Sequence, residues 1–216
     1  MSHRSRYIAV EGPIGVGKSS LVKLLSEHLS MEPILESLYN NPFLELFYED
    51  PKRYRFQTEL AFLIARFNQL KDIAQVDLFK KSIIADYIFE RDLIFANINL
   101  NDDELQLYMQ IYSMLTGLTP KPELVVYLQA DSKTLFKRVT KRNRQAEANI
   151  KYDYLDQVNQ SFVSFFHNQY KGNLLIINSD KIDFVENERD FKVLLDQILK
   201  PIRGVEFFNP EPSTFV

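Results

Sequence analysis

The sequence predicts an α/β fold in which a parallel sheet of about five strands is flanked by helices on both faces. Short apolar runs alternate along the chain with segments of helical spacing, and these runs are apolar throughout. Strands of that kind are typical of parallel sheets that are buried on both faces. Since 216 residues with 45% hydrophobic content are enough for one packed core, we expect a single domain over 1–216.

The first half of the chain contains three predicted strands. The run 7–10 enters a glycine-rich turn, and leucines at helical spacing predict a helix over 20–29. The run 33–36 is a short second strand, and the segment 40–48 begins with turn residues, becomes helical and ends near Asp50. A long helix is predicted from Arg53 to about Ala74, with one apolar side: Phe56, Leu60, Leu63, Ile64, Phe67 and Leu70. The run 82–86 is typical of a buried strand that ends in a carboxylate.

The second half contains the remaining elements. Helices are predicted at 90–96 and 102–118, and Asn101 or Asp102 would cap the second. The strand 123–128 leads to a helix that ends at Arg142, a charged segment, and a helix over 152–170. A strand at 174–178 and a helix at 188–199 follow. The tail from Gly204 to Val216 contains three phenylalanines, and it either covers a neighbouring subunit or caps its own core.

The junction between the first strand and the first helix has a P-loop pattern. It reads Gly12-Pro13-Ile14-Gly15-Val16-Gly17-Lys18-Ser19 and continues into Ser20. Backbone N–H groups must wrap a polyphosphate there, and a Cβ at Gly12 or Gly17 would obstruct the approach. Lys18 would contact the terminal phosphates, Ser19 would bind Mg²⁺, and the helix N-terminus would add its dipole. An ordinary glycine-rich turn is the alternative, but the flanking strand and helix favour a nucleoside triphosphate site over 12–20.

Composition excludes several classes of protein. A net charge of −3 without a basic face argues against nucleic-acid binding, so we expect a small substrate. The chain has no cysteine, which excludes disulfides and thiolate zinc sites. Only four apolar residues follow the basic N-terminus before Glu11, too few for a signal peptide, and no run has the length of a membrane span. A cytoplasmic protein without membrane partners is therefore expected.

Two carboxylates follow predicted strands at the edge of the sheet that contains the P-loop. Asp86 ends the third strand, where Mg²⁺ ligands lie in P-loop proteins; we favour a metal role, direct or through water, over a helix N-cap. Glu36 ends the second strand and would take a proton from a substrate hydroxyl as that oxygen attacks a γ-phosphate. For Glu36 a solvent-exposed loop position is the alternative.

A basic cluster lies near 137–144. Arg138 and Arg142 are one turn apart on a helix, with Arg144 just beyond, so they would close together on transferring phosphate charge. The segment at about 142–151 lacks strong apolar periodicity, as expected of a lid that excludes water. A charged surface helix is the alternative.

Gln57 is a candidate for reading a nucleobase. It shares a predicted helix face with Leu60 and Ile64. A buried amide must find partners, and its donor and acceptor suit the edge of a base. A structural glutamine that is satisfied within the core is the alternative.

With these residues assembled, the chain resembles the deoxynucleoside kinase family, particularly its bacterial deoxyguanosine and deoxyadenosine kinase members. The likeness spans nearly the whole chain. It rests on the order and spacing of several segments: Ile8 to Ser19, Asn41 to Leu44, Phe47-Tyr48, Phe56-Gln57, Ala85-Asp86-Tyr87, Ile94-Phe95-Ala96, Pro122 to Leu128, and Lys141 to Arg144 with Glu147. The resemblance implies a homodimer that transfers the γ-phosphoryl of ATP, with Mg²⁺, to the 5′-hydroxyl of a deoxynucleoside in nucleotide salvage, with a purine preferred.

The resemblance also implies roles for individual residues. Glu36 would be the base, and Tyr48 and Glu147 would hold the sugar 3′-hydroxyl. Gln57 would read the nucleobase. Asp86 would lie near the metal. Tyr87 and Asp92 would contact the substrate. The charge of the transferring phosphate would be stabilised by Lys18, Arg138, Arg142 and Arg144.

Two departures from the family pattern affect these roles. Animal members have Glu-Arg-Ser where this chain has Asp86-Tyr87-Ile88, so the arginine that would clamp Glu36 is missing; Arg91, a turn later, is a possible substitute. Animal members that phosphorylate cytidine also place an arginine seven residues after the glutamine. That position is Ile64 here, and Arg66 would point about 180° away from Gln57 on the helix.

Other functions remain open at this point. A nucleoside monophosphate kinase shares the loop and an arginine lid, but it would need more basic residues in the acceptor region 36–66. A regulatory GTPase is a weaker alternative, because the chain has no Asn-Lys-x-Asp motif. A catalytically silent nucleotide-binding subunit is the alternative from a different class, and the retention of Lys18, Ser19 and Glu36 argues against it.

Overall fold

A parallel sheet forms the centre of the computed structural model, which describes residues 6–36, 41–75, 81–142, 147 and 149–211. Six strands pair within these residues, in the order β2-β3-β1-β4-β5-β6, and every pairing is parallel. The strands are β1 Tyr7–Glu11, β2 Glu32–Ile34, β3 Ile83–Ala85, β4 Leu124–Gln129, β5 Leu174–Asn178 and β6 Val205–Phe208. Because parallel strands end at one edge, the turns after β1, β2 and β3 lie together.

Eight helices connect the strands within the described residues. Their bounds are α1 Lys18–Leu29, α2 Leu44–Glu49, α3 Pro51–Gln75, α4 Arg91–Asn99, α5 Asp102–Thr116, α6 Ser132–Arg142, α7 Tyr152–Asn168 and α8 Glu188–Ile198. Asn101 caps α5 in a capping box with Glu104, as the sequence indicated. None of the helices described combines the length and apolar character that a membrane span needs.

The helices cover both faces of the sheet. Along β1, Ile8 and Val10 pack into a cluster with residues of α1, α6 and α8. Tyr7 and Ala9 point to the opposite face, where they join clusters formed with α3, α5 and α7. The predicted α/β fold with a parallel sheet and helices on both faces is therefore confirmed.

One strand and one helix face differ from the sequence-based expectation. The tail contributes β6, a sixth strand that pairs with β5 at the edge of the sheet. A four-residue strand, half of whose side chains are exposed, has too little apolar pattern to be recognised. On α3, Ile64 is 46% exposed, whereas Arg66 is 5% exposed. Leu63 and Leu70 of the predicted apolar side are fully buried, and Phe56, Leu60 and Phe67 are partly buried, but the buried line of this helix also includes the charged residues Glu59 and Arg66.

Candidate active site

A cavity of about 340 Å³ opens at the carboxyl edge of the sheet, beside the P-loop. This volume lies within the usual range for small-molecule sites, roughly 300–1,000 Å³. The P-loop and the start of α1 form one side, and α2, α3 and α4 form the other. Of the residues singled out in the sequence, it is lined by Gly12, Ile14, Gly15, Gly17, Lys18, Ser19, Ser20, Glu36, Tyr48, Asp86, Arg142 and Glu147.

The P-loop backbone depends on glycines. Gly12, Gly15 and Gly17 all have positive φ, at 148°, 88° and 106°. A Cβ on Gly12 would lie 2.5 Å from the Leu128 carbonyl oxygen, so the first glycine is needed for packing against β4 as well as for approach to phosphate.

We expect Gly12→Ala to lower the free energy of unfolding by about 1–3 kcal/mol, because backbone at β4 must shift to admit the methyl group. Urea unfolding measures the loss. Gly117→Ala is the matched control, since nothing lies within 4 Å of its Cβ and its φ is −71°. Equal stability of the two variants would contradict this account of the loop.

Lys18 lies within the cradle with its ammonium turned to the loop. Its Nζ donates to the Pro13 carbonyl at 3.0 Å. Burial, followed by the charge of Arg91, lowers the pKa of Lys18 to about 7, while Glu11, Asp86 and Glu36 act in the opposite direction. An anionic phosphate at this position would favour the charged form.

Asp86 links the P-loop to Glu36. Its Oδ2 accepts a hydrogen bond from Ser19 Oγ at 2.6 Å, and its Oδ1 accepts one from the Glu36 backbone N–H at 2.7 Å. One carboxylate at the end of β3 therefore positions both the candidate metal ligand Ser19 and the segment that carries the candidate base.

Two arginines hold the Glu36 carboxylate. Arg66 Nε donates to Glu36 Oε1 at 2.9 Å, and Arg91 Nη1 donates to Oε2 at 3.0 Å. Burial by itself would raise the pKa of Glu36, but Arg66 and Arg91, with a smaller effect from Lys18, lower it to about 2. Glu36 is therefore ionised at neutral pH and faces the cavity that the P-loop lines.

Arg91 is fixed in turn by Glu11, the last residue of β1. Glu11 is fully buried and accepts hydrogen bonds from Arg91 Nη2 at 3.1 Å, from the Gly12 N–H at 2.9 Å and from the Ile88 N–H at 2.8 Å. Arg91 thus joins the P-loop strand to Glu36. Arg91 therefore holds the Glu36 carboxylate, which is the role that the sequence left open because no arginine directly follows Asp86.

The lining of the cavity also includes aromatic side chains and an ion pair. Tyr48 lines it from α2, and its ring lies 6.2 Å from that of Tyr154 in an edge-to-face arrangement. The start of α2 is tied to α3, because the Asn41 side chain donates to the Thr58 carbonyl at 3.0 Å. Arg142, at the end of α6, donates from Nε to Glu147 at 2.8 Å.

The oxygens of Ser19 and Asp86 fit a Mg²⁺ ion. Mg²⁺ prefers oxygen ligands and commonly binds through one or two carboxylates together with substrate phosphates and water. Within the described residues, no group of three or more His, Cys, Asp or Glu side chains is placed to hold a metal. Ser19 and Asp86 therefore suit a metal ion whose other ligands come from a bound triphosphate.

Comparison with known proteins assigns the family. A family model described as deoxynucleoside kinase matches residues 8–203. This chain belongs to the deoxynucleoside kinase family. It is 36% identical to a deoxyguanosine kinase of Bacillus subtilis over 86% of this chain and 92% of that protein. It is 30% identical to a deoxyadenosine kinase of Lactobacillus acidophilus, with 92% and 97% covered.

The structural comparison agrees with the family assignment. The fold matches the structure of deoxyadenosine kinase from M. mycoides with bound dATP, with a TM-score of 0.79 at 25% identity, over 90% of this chain and all of that one. The predicted P-loop kinase fold, the predicted family and the predicted class of enzyme are thus confirmed for this deoxynucleoside kinase.

Several predicted site residues of the kinase do not line the cavity. Gln57 is exposed on α3, so its predicted burial is wrong. Arg138 donates to the carbonyls of Ser179, at 3.0 Å, and Val16, at 3.5 Å, behind the P-loop. Tyr87 is buried and donates a hydrogen bond to Gln69. Asp92 is buried and does not line the cavity.

The backbone of Pro13 and Val16 contributes to the loop without lining the cavity. Arg144 and half of the predicted lid, residues 143–146 and 148, lie outside the described residues.

Sequence reasoning missed three charged residues of the cavity wall: Glu59, Arg66 and Arg91, the last considered only as a substitute. Glu59 and Arg66 are seven residues apart, about two helical turns, and therefore share a face of α3. The sequence shows that the two charges share a face, but it does not show that this face is buried. An apolar search overlooks it because it assumes that charged positions face water.

Proposed function

We propose that this deoxynucleoside kinase transfers the γ-phosphoryl group of ATP to the 5′-hydroxyl of a purine deoxynucleoside. The observation that carries the proposal is that an ionised Glu36 lines the same cavity as Lys18 and Ser19 of the P-loop. A phosphate cradle and a candidate proton acceptor at one site suit phosphoryl transfer to an alcohol.

The P-loop end would hold the triphosphate. Backbone N–H groups and the N-terminus of α1 face the anionic phosphates, and Lys18 adds a point charge. Ser19 and Asp86 would hold Mg²⁺, which when bound neutralises charge on the phosphate oxygens. Since Asp86 also accepts from the Glu36 N–H, the metal side and the acceptor side of the site are fixed to each other.

The other end would hold the nucleoside. Glu36 would accept the proton of the 5′-hydroxyl as that oxygen forms its bond to phosphorus and the bond to the β-phosphate oxygen breaks. Tyr48 and Glu147 line the cavity and would hold the sugar 3′-hydroxyl, as the family resemblance implies. Aromatic side chains of α3 and α4, Phe62 and Phe95, offer flat surfaces for a base.

Arginines would stabilise the transferring charge. Arg91 and Arg142 line the cavity, and both have carboxylate partners that fix them in place, Glu36 and Glu147. Pre-oriented cations of this kind favour the developing charge without reorganisation. We propose Arg91 as the clamp in place of the missing arginine after Asp86, with Arg142 and Arg144 in the lid. Arg138 is better suited to holding the P-loop, because it binds Val16 and Ser179.

A coupled assay of ADP release, run with each deoxynucleoside and each nucleoside monophosphate, tests the proposal. We expect release with deoxyguanosine or deoxyadenosine, together with a 5′-monophosphate product. Release only with monophosphates would identify a nucleoside monophosphate kinase instead. ATP binding without any phosphorylated product would identify a silent nucleotide-binding subunit.

We further propose that the kinase acts as a single-domain cytoplasmic homodimer in nucleotide salvage. The family resemblance supports this assembly. Light scattering on the purified protein, which reports mass in solution, distinguishes a dimer from a monomer.

A further inference from the structure

Glu59 is a carboxylate of the cavity wall that the proposed reaction does not use. It lies on α3, is 3% exposed and borders the same cavity as Glu36. Its Oε1 accepts a hydrogen bond from Asn99 Nδ2 at 2.7 Å, and Asn99 also donates to Tyr154 at 3.2 Å. Asn99 therefore fixes the orientation of the carboxyl group from α4.

The second oxygen of Glu59 makes no hydrogen bond within the described residues, and it is not one of their fully buried unpartnered atoms, so it is open to the cavity. An acceptor that is open to a cavity can take a hydrogen bond from water or from a bound ligand. Glu59 borders the cavity together with Phe62, Phe95 and Tyr154, so a flat ring held by these aromatic side chains would have the carboxyl group as a neighbour.

The surroundings of Glu59 raise the pKa of its carboxyl group. Burial raises the pKa of Glu59 to about 8; Asp92 and Glu36 add to the rise, whereas the Asn99 hydrogen bond and Arg66 oppose it. The titratable and charged groups that face it come from five helices and the loop after β2: Glu36, Tyr48, Arg66, Asp92, Tyr108 and Tyr154.

We propose that Glu59 reads the Watson–Crick edge of the purine and that its charge state sets the preference between guanine and adenine. This inference rests on the proposed function. Guanine presents two adjacent donors, N1–H and N2–H, which match an ionised carboxylate with acceptors only. Adenine presents the acceptor N1 beside the donor N6–H, which match a neutral carboxyl group with one donor and one acceptor.

Glu59→Gln separates the two cases, because an amide stays neutral and always has a donor and an acceptor. We expect kcat/KM for deoxyguanosine to fall at least about tenfold relative to deoxyadenosine, the scale of one hydrogen bond to a charged group. In the unaltered protein, the deoxyguanosine to deoxyadenosine ratio should rise between pH 6.5 and pH 9. In Glu59→Gln the ratio should be flat. Glu45→Gln is the matched control, because Glu45 is an exposed carboxylate on α2. This variant should leave kcat/KM unchanged for both nucleosides.

Thermal unfolding controls for misfolding of Glu59→Gln. The folded pKa of Glu59 is raised above its ordinary value of 4.5, so ionisation disfavours the fold increasingly as pH rises toward 8. The amide removes that cost, and the variant should unfold at an equal or higher temperature than the unaltered protein at pH 8. A lower unfolding temperature there would contradict this account of Glu59.

Calorimetric binding of each nucleoside separates this inference from the proposed function. A protein that binds both nucleosides with the expected pH trend but forms no product would overturn the function and leave the reading of the base supported. Equal losses for both nucleosides in Glu59→Gln, or a pH-independent ratio in the unaltered protein, would overturn the inference. Failure to bind either nucleoside overturns both.

Discussion

Replacement of Glu36 by glutamine should lower turnover about a hundredfold, the lower end of what a general base contributes. The amide keeps the shape of the side chain and its contact with Arg66, but it cannot accept the proton of the 5′-hydroxyl. Nucleoside binding should stay nearly intact, because Tyr48, Glu147 and the aromatic wall are unchanged. ADP release under saturating substrate measures the first effect, and calorimetry measures the second.

The pH profile adds a second test of Glu36. Arg66 and Arg91 outweigh the opposing effect of burial and lower the pKa of Glu36 to about 2, so this group stays ionised from pH 8 to pH 5. Titration of Glu36 should therefore cause no loss of activity in that range. Since the folded pKa lies below the ordinary value of 4.5, the stability that Glu36 contributes is lost only as pH falls from 4.5 toward 2.

Glu32→Gln is the control for Glu36→Gln. Glu32 lies on β2, and its side chain is 53% exposed and pairs with Lys81. Its loss removes the same charge without touching the cavity, so turnover should not change. Unchanged turnover in Glu36→Gln itself would remove Glu36 from the role of base.

Local patterns explain which parts of the fold and site the sequence predicts. The P-loop is contiguous, so Lys18 and Ser19 are found from spacing alone. Asp86 and Glu36 are found because each follows an apolar run, and parallel strands bring those ends to one edge. The short edge strand β6 has no long apolar run, and it is missed.

Long-range pairing explains why α3 is misread. Arg66 is buried only because Glu36 and Asp92, 30 and 26 residues away, supply opposite charge. The neighbouring sequence does not show that pairing, so the apolar pattern finds Leu63 and Leu70 but wrongly includes Ile64 and Gln57 and leaves out Arg66. The same error hides Glu59, whose partner Asn99 is 40 residues away.

Arg66→Met should lower the free energy of unfolding by about 3–5 kcal/mol, the usual cost of removing one partner of a buried ion pair. Methionine fills much of the space but leaves Asp92, which is 0% exposed, without its cation. Urea unfolding at pH 8 measures the loss. Lys52→Met, an exposed position of the same helix, should change stability by less than about 0.5 kcal/mol.

The dependence of this loss on pH identifies Asp92 as its source. Burial raises the pKa of Asp92 to about 7 even though Arg66 lowers it, so removal of Arg66 should raise that pKa further. A raised folded pKa means that the cost of ionising Asp92 grows as pH rises above its ordinary value of 3.8. The destabilisation by Arg66→Met should therefore be smaller at pH 5 than at pH 8, and Arg66→Met with Asp92→Asn should recover part of it at pH 8. A double variant no more stable than the single one would place the loss in packing or in Glu36 rather than in the uncompensated charge of Asp92.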